Sequence, residues 1–167
     1  MKTCCFTGHR PKALPWGSNE HCMECVILKH ELFDLIEETM QSGYKRFIVG
    51  MAQGNDTYIA EILILLKSSH PYIIIEAAIP CMNQVEKWTK SARERYDDIL
   101  ALFDKQTVIS KEYAPKCMQE RNQYMVDQAS LLIAVWNGKP SGTGNTVKYA
   151  RNKGVDVMVL DIRSAKQ

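Results

Sequence analysis

Arg10 is a candidate to grip an anion, with a surface arginine or a structural salt bridge as the alternative. It closes the turn Thr7-Gly8-His9-Arg10, which follows the apolar run Cys4-Cys5-Phe6. A guanidinium pairs with phosphate through a planar fork of parallel hydrogen bonds. Pro11 disfavours a helical backbone at Arg10 and so projects the turn outward. His9 is a candidate beside it, with a plain turn role as the alternative. A second loop, Gly50-Met51-Ala52-Gln53-Gly54-Asn55-Asp56, follows Phe47-Ile48-Val49. Gly50 and Gly54 suit the close approach of a ligand, or simply a tight turn. Asp56 could accept hydrogen bonds from ribose hydroxyls, or merely complement a helix N-terminus for ~0.3–1 kcal/mol. A third loop runs from Gly138 to Thr146, after the apolar run 131–136. Its Ser141, Gly142, Thr143, Asn145 and Thr146 bring hydroxyls, an amide and helix-start N–H groups to one place, the chemistry of a phosphate cradle. Ordinary N-capping by Ser141 or Thr143 is the alternative. Arg121 and Asn122 stand inside a helical stretch, where asparagine is a poor former and hints at a partner. Trp136 ends a strand beside the third loop and is the best aromatic for stacking on a base, ahead of Trp88 and Tyr96.

These residues need a frame. Residues 2–7, 44–50, 72–79, 107–110, 130–136 and 155–160 read as strands. The run 72–79 is nearly all apolar, as in a strand buried on both faces, and Pro80 is expected to end it. Helices are expected over 19–40, with Cys22, Val26, Leu32, Ile36 and Met40 as the apolar side, and over 55–69, capped by Asn55. A third follows an apparent capping box at Asn83 and Glu86 and runs to about 104. Two more cover 116–129 and 143–152. Strand and helix alternate throughout, which predicts an α/β protein: a Rossmann-like three-layer sandwich with a mostly parallel sheet of five to six strands and helices on both faces. The first strand is expected to be central, and ligands of such sheets bind past the strand C-termini where the strand order reverses. Residues 1–167 are expected to form one domain.

Bulk properties narrow the classes. At 46% hydrophobic and 24% charged, the 167 residues have an ordinary globular composition. A net charge of +2 disfavours a nucleic-acid partner and gives no case for a membrane surface. No apolar run reaches the ~20 residues of a membrane span, and the start does not read as a signal peptide, so a cytoplasmic location is expected. The six cysteines are then expected to be free thiols. Cys22 and Cys25 form a C-x-x-C but lack a second ligand pair, so no metal is expected, nor a cofactor. Neither a G-x-G-x-x-G fingerprint nor a P-loop is present.

Taken together, Thr7-Gly8-His9-Arg10-Pro11, Gly50-x-x-x-Gly54-x-Asp56 and Ser141-Gly142-Thr143-x-Asn145-Thr146 give the chain a resemblance to the YpsA-like family of the SLOG superfamily. The resemblance covers essentially the whole chain and implies a Rossmann-like fold that binds a nucleotide or nucleotide-derived small ligand, as a sensor or regulatory module. Two relatives in that superfamily frame the alternatives. The LONELY GUY phosphoribohydrolases cleave a base from a nucleoside monophosphate with a glutamate of the third loop. Here no acidic residue lies between Asn137 and Gly154, so an N-glycosidase would have to use Asp56. The DNA-processing protein A group binds single-stranded DNA. A protein-interaction module is the remaining class. Oligomeric state stays open, a homodimer being one option.

Overall fold

The computed structural model describes residues 1–162. Six strands alternate with five helices: β1 (Lys2–Gly8), α1 (Met23–Gln41), β2 (Tyr44–Val49), α2 (Asn55–Lys67), β3 (Ile74–Cys81), α3 (Lys90–Leu100), β4 (Lys105–Ser110), α4 (Cys117–Gln128), β5 (Leu131–Trp136), α5 (Gly142–Asn152) and β6 (Asp156–Asp161). The strands form one sheet in the order β4-β3-β2-β1-β5-β6, and every adjacent pair is parallel. This is the expected α/β Rossmann-like fold, with β1 inside the sheet. The chain walks outward from β1 to β4, then crosses back to place β5 on the other side of β1. The strand order therefore reverses between β1 and β5, and a crevice opens past their C-terminal ends.

Burial on both faces explains the apolar strands. Cys4, Phe6, Phe47, Val49, Ile75 and Ile133 point into the larger core, whereas Cys5, Ile48, Leu132 and Ala134 point into the smaller one. The alternation is the period of two that a pleated strand imposes. Phe6 and Phe47 stack at 6.3 Å across the β1–β2 pair. On α1 the buried stripe is Cys25, Leu28, Leu32, Ile36 and Met40. Val26 lies off it and is 37% exposed. The helix begins at Met23, four residues later than its apolar spacing suggested, with Cys22 at the cap.

Three other local expectations are corrected. Pro80 does not end β3, which continues to Cys81. Past Ala77 the strand pairs only with β4, and a residue without an N–H is tolerated where one side of the ladder has ended. Residues 83–88 form turns, and α3 starts at Lys90, where the Thr89 hydroxyl accepts from Ala92 N–H at 3.2 Å. Gly54, not Asn55, caps α2. The Asn55 side chain instead donates to the carbonyl of His9 at 3.2 Å.

One buried carboxylate sits in the sheet. Glu76 of β3 is 0% exposed. It accepts from Arg46 at 2.8 and 2.5 Å, from the Thr107 hydroxyl at 2.7 Å and from the Tyr124 hydroxyl at 2.7 Å. These bonds tie β2, β3, β4 and α4 together. Burial raises the Glu76 pKa, but the bonds from Tyr124, Thr107 and Arg46 outweigh it and leave it below 4.5.

Candidate functional site

The crevice between β1 and β5 is closed by the turn after β1, the start of α2, one face of α4 and the start of α5. It encloses a cavity of about 550 Å³. Ten of the residues singled out in the sequence line it: Thr7, Gly8, His9, Arg10, Asp56, Arg121, Asn122, Ser141, Gly142 and Thr143. Lys12, Ala52, Met118 and Met125 line it too. The sequence reading passed over all four, though Lys12 follows the Arg10-Pro11 turn directly.

The first turn is held by unlike partners. His9 is 5% exposed, and its Nε2 accepts from Asn137 N–H at 3.2 Å. That bond crosses the switch point and joins the β1 turn to the β5 turn. Burial lowers the His9 pKa below 6.5, so the ring is neutral at pH 7. With Nε2 accepting, the ring proton sits on Nδ1. Arg10 has an extended backbone, φ −80° and ψ 166°, as Pro11 requires. Its guanidinium is exposed, and Nη2 touches only the weak acceptor Met118 Sδ, at 3.5 Å.

Arg121 is placed very differently. It is 4% exposed. Its Nη1 donates to the carbonyl of Gly50, and its Nε donates to Asn122 Oδ1 at 2.8 Å. Burial lowers its pKa while the nearby Asp56 raises it. An arginine keeps its charge in any protein setting. Asp56 is 7% exposed and accepts from Ala52 N–H at 3.0 Å. Burial raises its pKa above 3.8, opposed by Arg121, Ala52 N–H and Arg10. Among the described residues, neither Arg121 nor Asp56 is within salt-bridge distance of an opposite charge. The lining thus carries three cations, Arg10, Lys12 and Arg121, against one carboxylate. The near-neutral whole-chain charge conceals this local excess.

The start of α5 forms the opposite wall. The Ser141 hydroxyl caps the helix, accepting from Gly144 N–H at 3.1 Å. Gly142 and Thr143 carry the first N–H groups of the helix, which have no intrahelical acceptor. Both residues border the cavity, as does the capping serine. Trp136 does not line it. Its indole N–H donates to the Lys139 carbonyl at 2.8 Å, and its ring fills the space a side chain would need at Gly144. It braces the loop instead. Thr146 is buried and bonds back to the Gly142 carbonyl at 3.0 Å. Asn145 and Thr146 face a neighbouring groove between α4 and α5.

Gly50 and Gly54 also lie off the cavity, and protein atoms occupy the space beside them. A Cβ at Gly50 would stand 2.6 Å from Arg121 Nη1. At Gly54 it would stand 2.7 Å from the His9 carbonyl, and φ there is +86°. Gly8 lets the Asn55 side chain pass at similarly close range, 2.7 Å from a notional Cβ. The glycines bring the second loop, Arg121 and the first turn into contact. Asn55 Oδ1 is left buried with no hydrogen-bond partner among the described residues. Trp88 and Tyr96 pack edge-on against each other at 5.4 Å beside a separate cavity of about 420 Å³ that Gly54 also borders. No group of three or more metal-ligating side chains is poised for an ion, and no helix is long and apolar enough to cross a membrane, among the described residues. All six cysteines are free.

A six-stranded parallel sheet with a cavity at its switch point defines a Rossmann-like α/β protein. More narrowly, the chain belongs to the YpsA family, described as the YspA SLOG family, whose model matches residues 4–162. It is 34% identical over 137 residues to the uncharacterized SPbeta prophage-derived protein YoqJ of Bacillus subtilis, covering 74% of this chain and 80% of that one. It is 27% identical over 159 residues to a UPF0398 protein of Halalkalibacterium halodurans, covering 92% and 82%. Two solved structures share the fold at a TM-score of 0.62. One is DNA processing protein A from Streptococcus pneumoniae, at 15% identity and 95% of this chain. This chain spans half the length of that protein. The other is DNA processing protein A from Helicobacter pylori, at 14% identity, covering 98% of this chain and 70% of that one; its structure is described by a single-stranded DNA binding mode.

Proposed function

We propose that this protein binds a nucleotide or nucleotide-derived small ligand by its phosphate, as a sensor or regulatory module. Arg121 carries the reading. A guanidinium 4% exposed and, among the described residues, outside any ion pair is costly to keep, because burial strips its hydration. It lines a cavity shared with Arg10, Lys12 and the free N–H groups of α5. A phosphate entering there supplies the close counter-charge that Asp56 gives only from beyond ion-pair distance, and a helix N-terminus favours it further. Arg10, exposed and bonded only to a thioether, is free to close on it. Asp56 is the acceptor within reach of a sugar hydroxyl in the same cavity.

The test is calorimetric titration with AMP, ADP-ribose, NAD and cyclic nucleotides, alongside a thermal-shift screen of the same panel. At least one is expected to bind. Arg10→Ala should weaken that ligand about tenfold or more, since a charge-assisted hydrogen bond contributes ~1.5–3 kcal/mol. The melting temperature of the unliganded variant should barely move, because Arg10 is exposed. Equal affinity in the variant would sink the assignment. The raised pKa of Asp56 inside the cavity favours a second reading, a nucleoside-phosphate N-glycosidase with Asp56 as its acid. Release of free base from AMP, lost in Asp56→Asn, is its signature. A strand of DNA in place of a small ligand would show itself by binding that collapses steeply with added salt.

A further inference from the structure

The groove between α4 and α5 has a volume of about 570 Å³ and adjoins the site. Met118, Asn122 and Gly142 line both spaces. Its walls follow from helical spacing. On α4, Gln119, Asn122 and Gln123 stand at i, i+3 and i+4. On α5, Asn145, Lys148, Tyr149 and Asn152 stand at i, i+3, i+4 and i+7. Each set makes one stripe on its helix, and the two stripes face each other across the groove. Among the described residues no carboxylate borders it, and Lys148 is its one cation. The side-chain amides of Gln119, Gln123, Asn145 and Asn152 make no hydrogen bond to the described protein. A solvated helix face normally carries lysine and glutamate; this one carries amides, each pairing a donor with an acceptor as the edge of a nucleobase does. Tyr149 adds half-buried ring surface.

Gly142 stands where the two spaces meet. A Cβ placed there would touch nothing within 4 Å, unlike one at Gly8, Gly50, Gly54 or Gly144. The fold does not need a glycine at this point, and the passage over it is open. Each space alone is large enough for one small-ligand unit.

We infer that the ligand is a 5′-phosphorylated dinucleotide, held with its terminal phosphate in the cavity by Arg10, Arg121 and α5, and with its second nucleoside lying over Gly142 against the amides of the α4–α5 groove. This rests on the phosphate-site reading above. Lys148 neutralises the bridging phosphate, and the amides read the base edge.

The experiment is calorimetric titration with AMP and with the 5′-phosphorylated dinucleotide pApA. Wild-type protein should bind pApA at least tenfold tighter than AMP. In the Gln123→Leu/Asn152→Leu variant, pApA should fall to the AMP level while AMP is unchanged. Lys148→Gln, at an exposed position, should weaken pApA alone by a smaller factor. Equal affinity for AMP and pApA in the wild type overturns the second subsite and leaves the phosphate site standing. Equal weakening of both ligands in the double variant also overturns it. If neither AMP nor pApA binds, the phosphate site falls and the extension falls with it.

Discussion

Replacing Glu76 with leucine should destabilise the fold by about 3 kcal/mol. The side chain is similar in size, so no large cavity opens, but every acceptor is removed. Three donors lose their partner: Arg46, the Thr107 hydroxyl and the Tyr124 hydroxyl. An unmade hydrogen bond in a buried setting costs roughly 1–3 kcal/mol. The Arg46 side chain is 19% exposed, so water recovers part of its loss, and about 1 kcal/mol per donor is the fair figure. For a protein of this size that lowers the melting temperature by roughly 6–12 °C. Urea unfolding followed by tryptophan fluorescence measures it directly. Glu76→Gln can keep its oxygen toward Arg46 and turn its NH2 to the Thr107 and Tyr124 hydroxyls, which can rotate to accept it, so it should cost about 1 kcal/mol, mainly the loss of charge assistance. Arg46→Met combined with Glu76→Leu should recover part of the loss, because a broken buried pair costs more than an absent one. A loss below about 0.5 kcal/mol for Glu76→Leu, with an unchanged denaturant slope, would refute the view that this carboxylate ties four elements together.

The same carboxylate sets a pH dependence. Its folded pKa lies below 4.5, so its contribution is complete above that value and fades as pH falls through the folded value; the Glu76→Gln variant should lack that slope in acid unfolding. His9 acts below its ordinary value of 6.5. Its folded pKa lies below 6.5, so between the two values the unfolded chain binds the extra proton. Stability should drop as pH falls through that window, and His9→Gln should flatten the curve. Gly54→Ala should cost more than ~1 kcal/mol by chemical denaturation, because φ is +86° and the new Cβ would meet the His9 carbonyl at 2.7 Å.

The second and third loops were legible in the sequence because each sits between an apolar strand and a helix start, a pattern that depends only on near neighbours, while the first turn leads into a short 3-10 segment and α1 starts only at Met23. The sheet followed from the same alternation, as did the central place of β1. What fills the space beside a glycine was not legible. Gly50 and Gly54 read equally well against a ligand or against protein, and only the packing shows Arg121 and the His9 carbonyl there. Arg121 was singled out with Asn122 on a weak cue, a poor helix former in mid-helix, and its burial could not be foreseen. Glu76 was missed because a single carboxylate in an apolar run looks like noise; its partners lie 30, 31 and 48 residues away. The amide stripes of α4 and α5 are present as i, i+3, i+4 spacing, but only a known helix pairing sets one against the other. Where local signals compete, as at Asn83, Pro80 and Asn55, tertiary contacts decided the outcome.

The bond from Asn137 N–H to His9 joins residues 128 apart in the chain, and this governs how the cavity comes into being. β1 is made first and its inner neighbour β5 much later, so the crevice does not exist until most of the chain has been threaded into place. Sheets built from such distant pairings assemble slowly. A fragment that stops before β5 holds the first turn and the α2 start but no pocket. A ligand bound in the proposed site would therefore recognise only the finished sheet, and would pull on the last closing step of folding rather than on any early one. Ligand added to a refolding chain should slow unfolding and leave the early folding rate untouched.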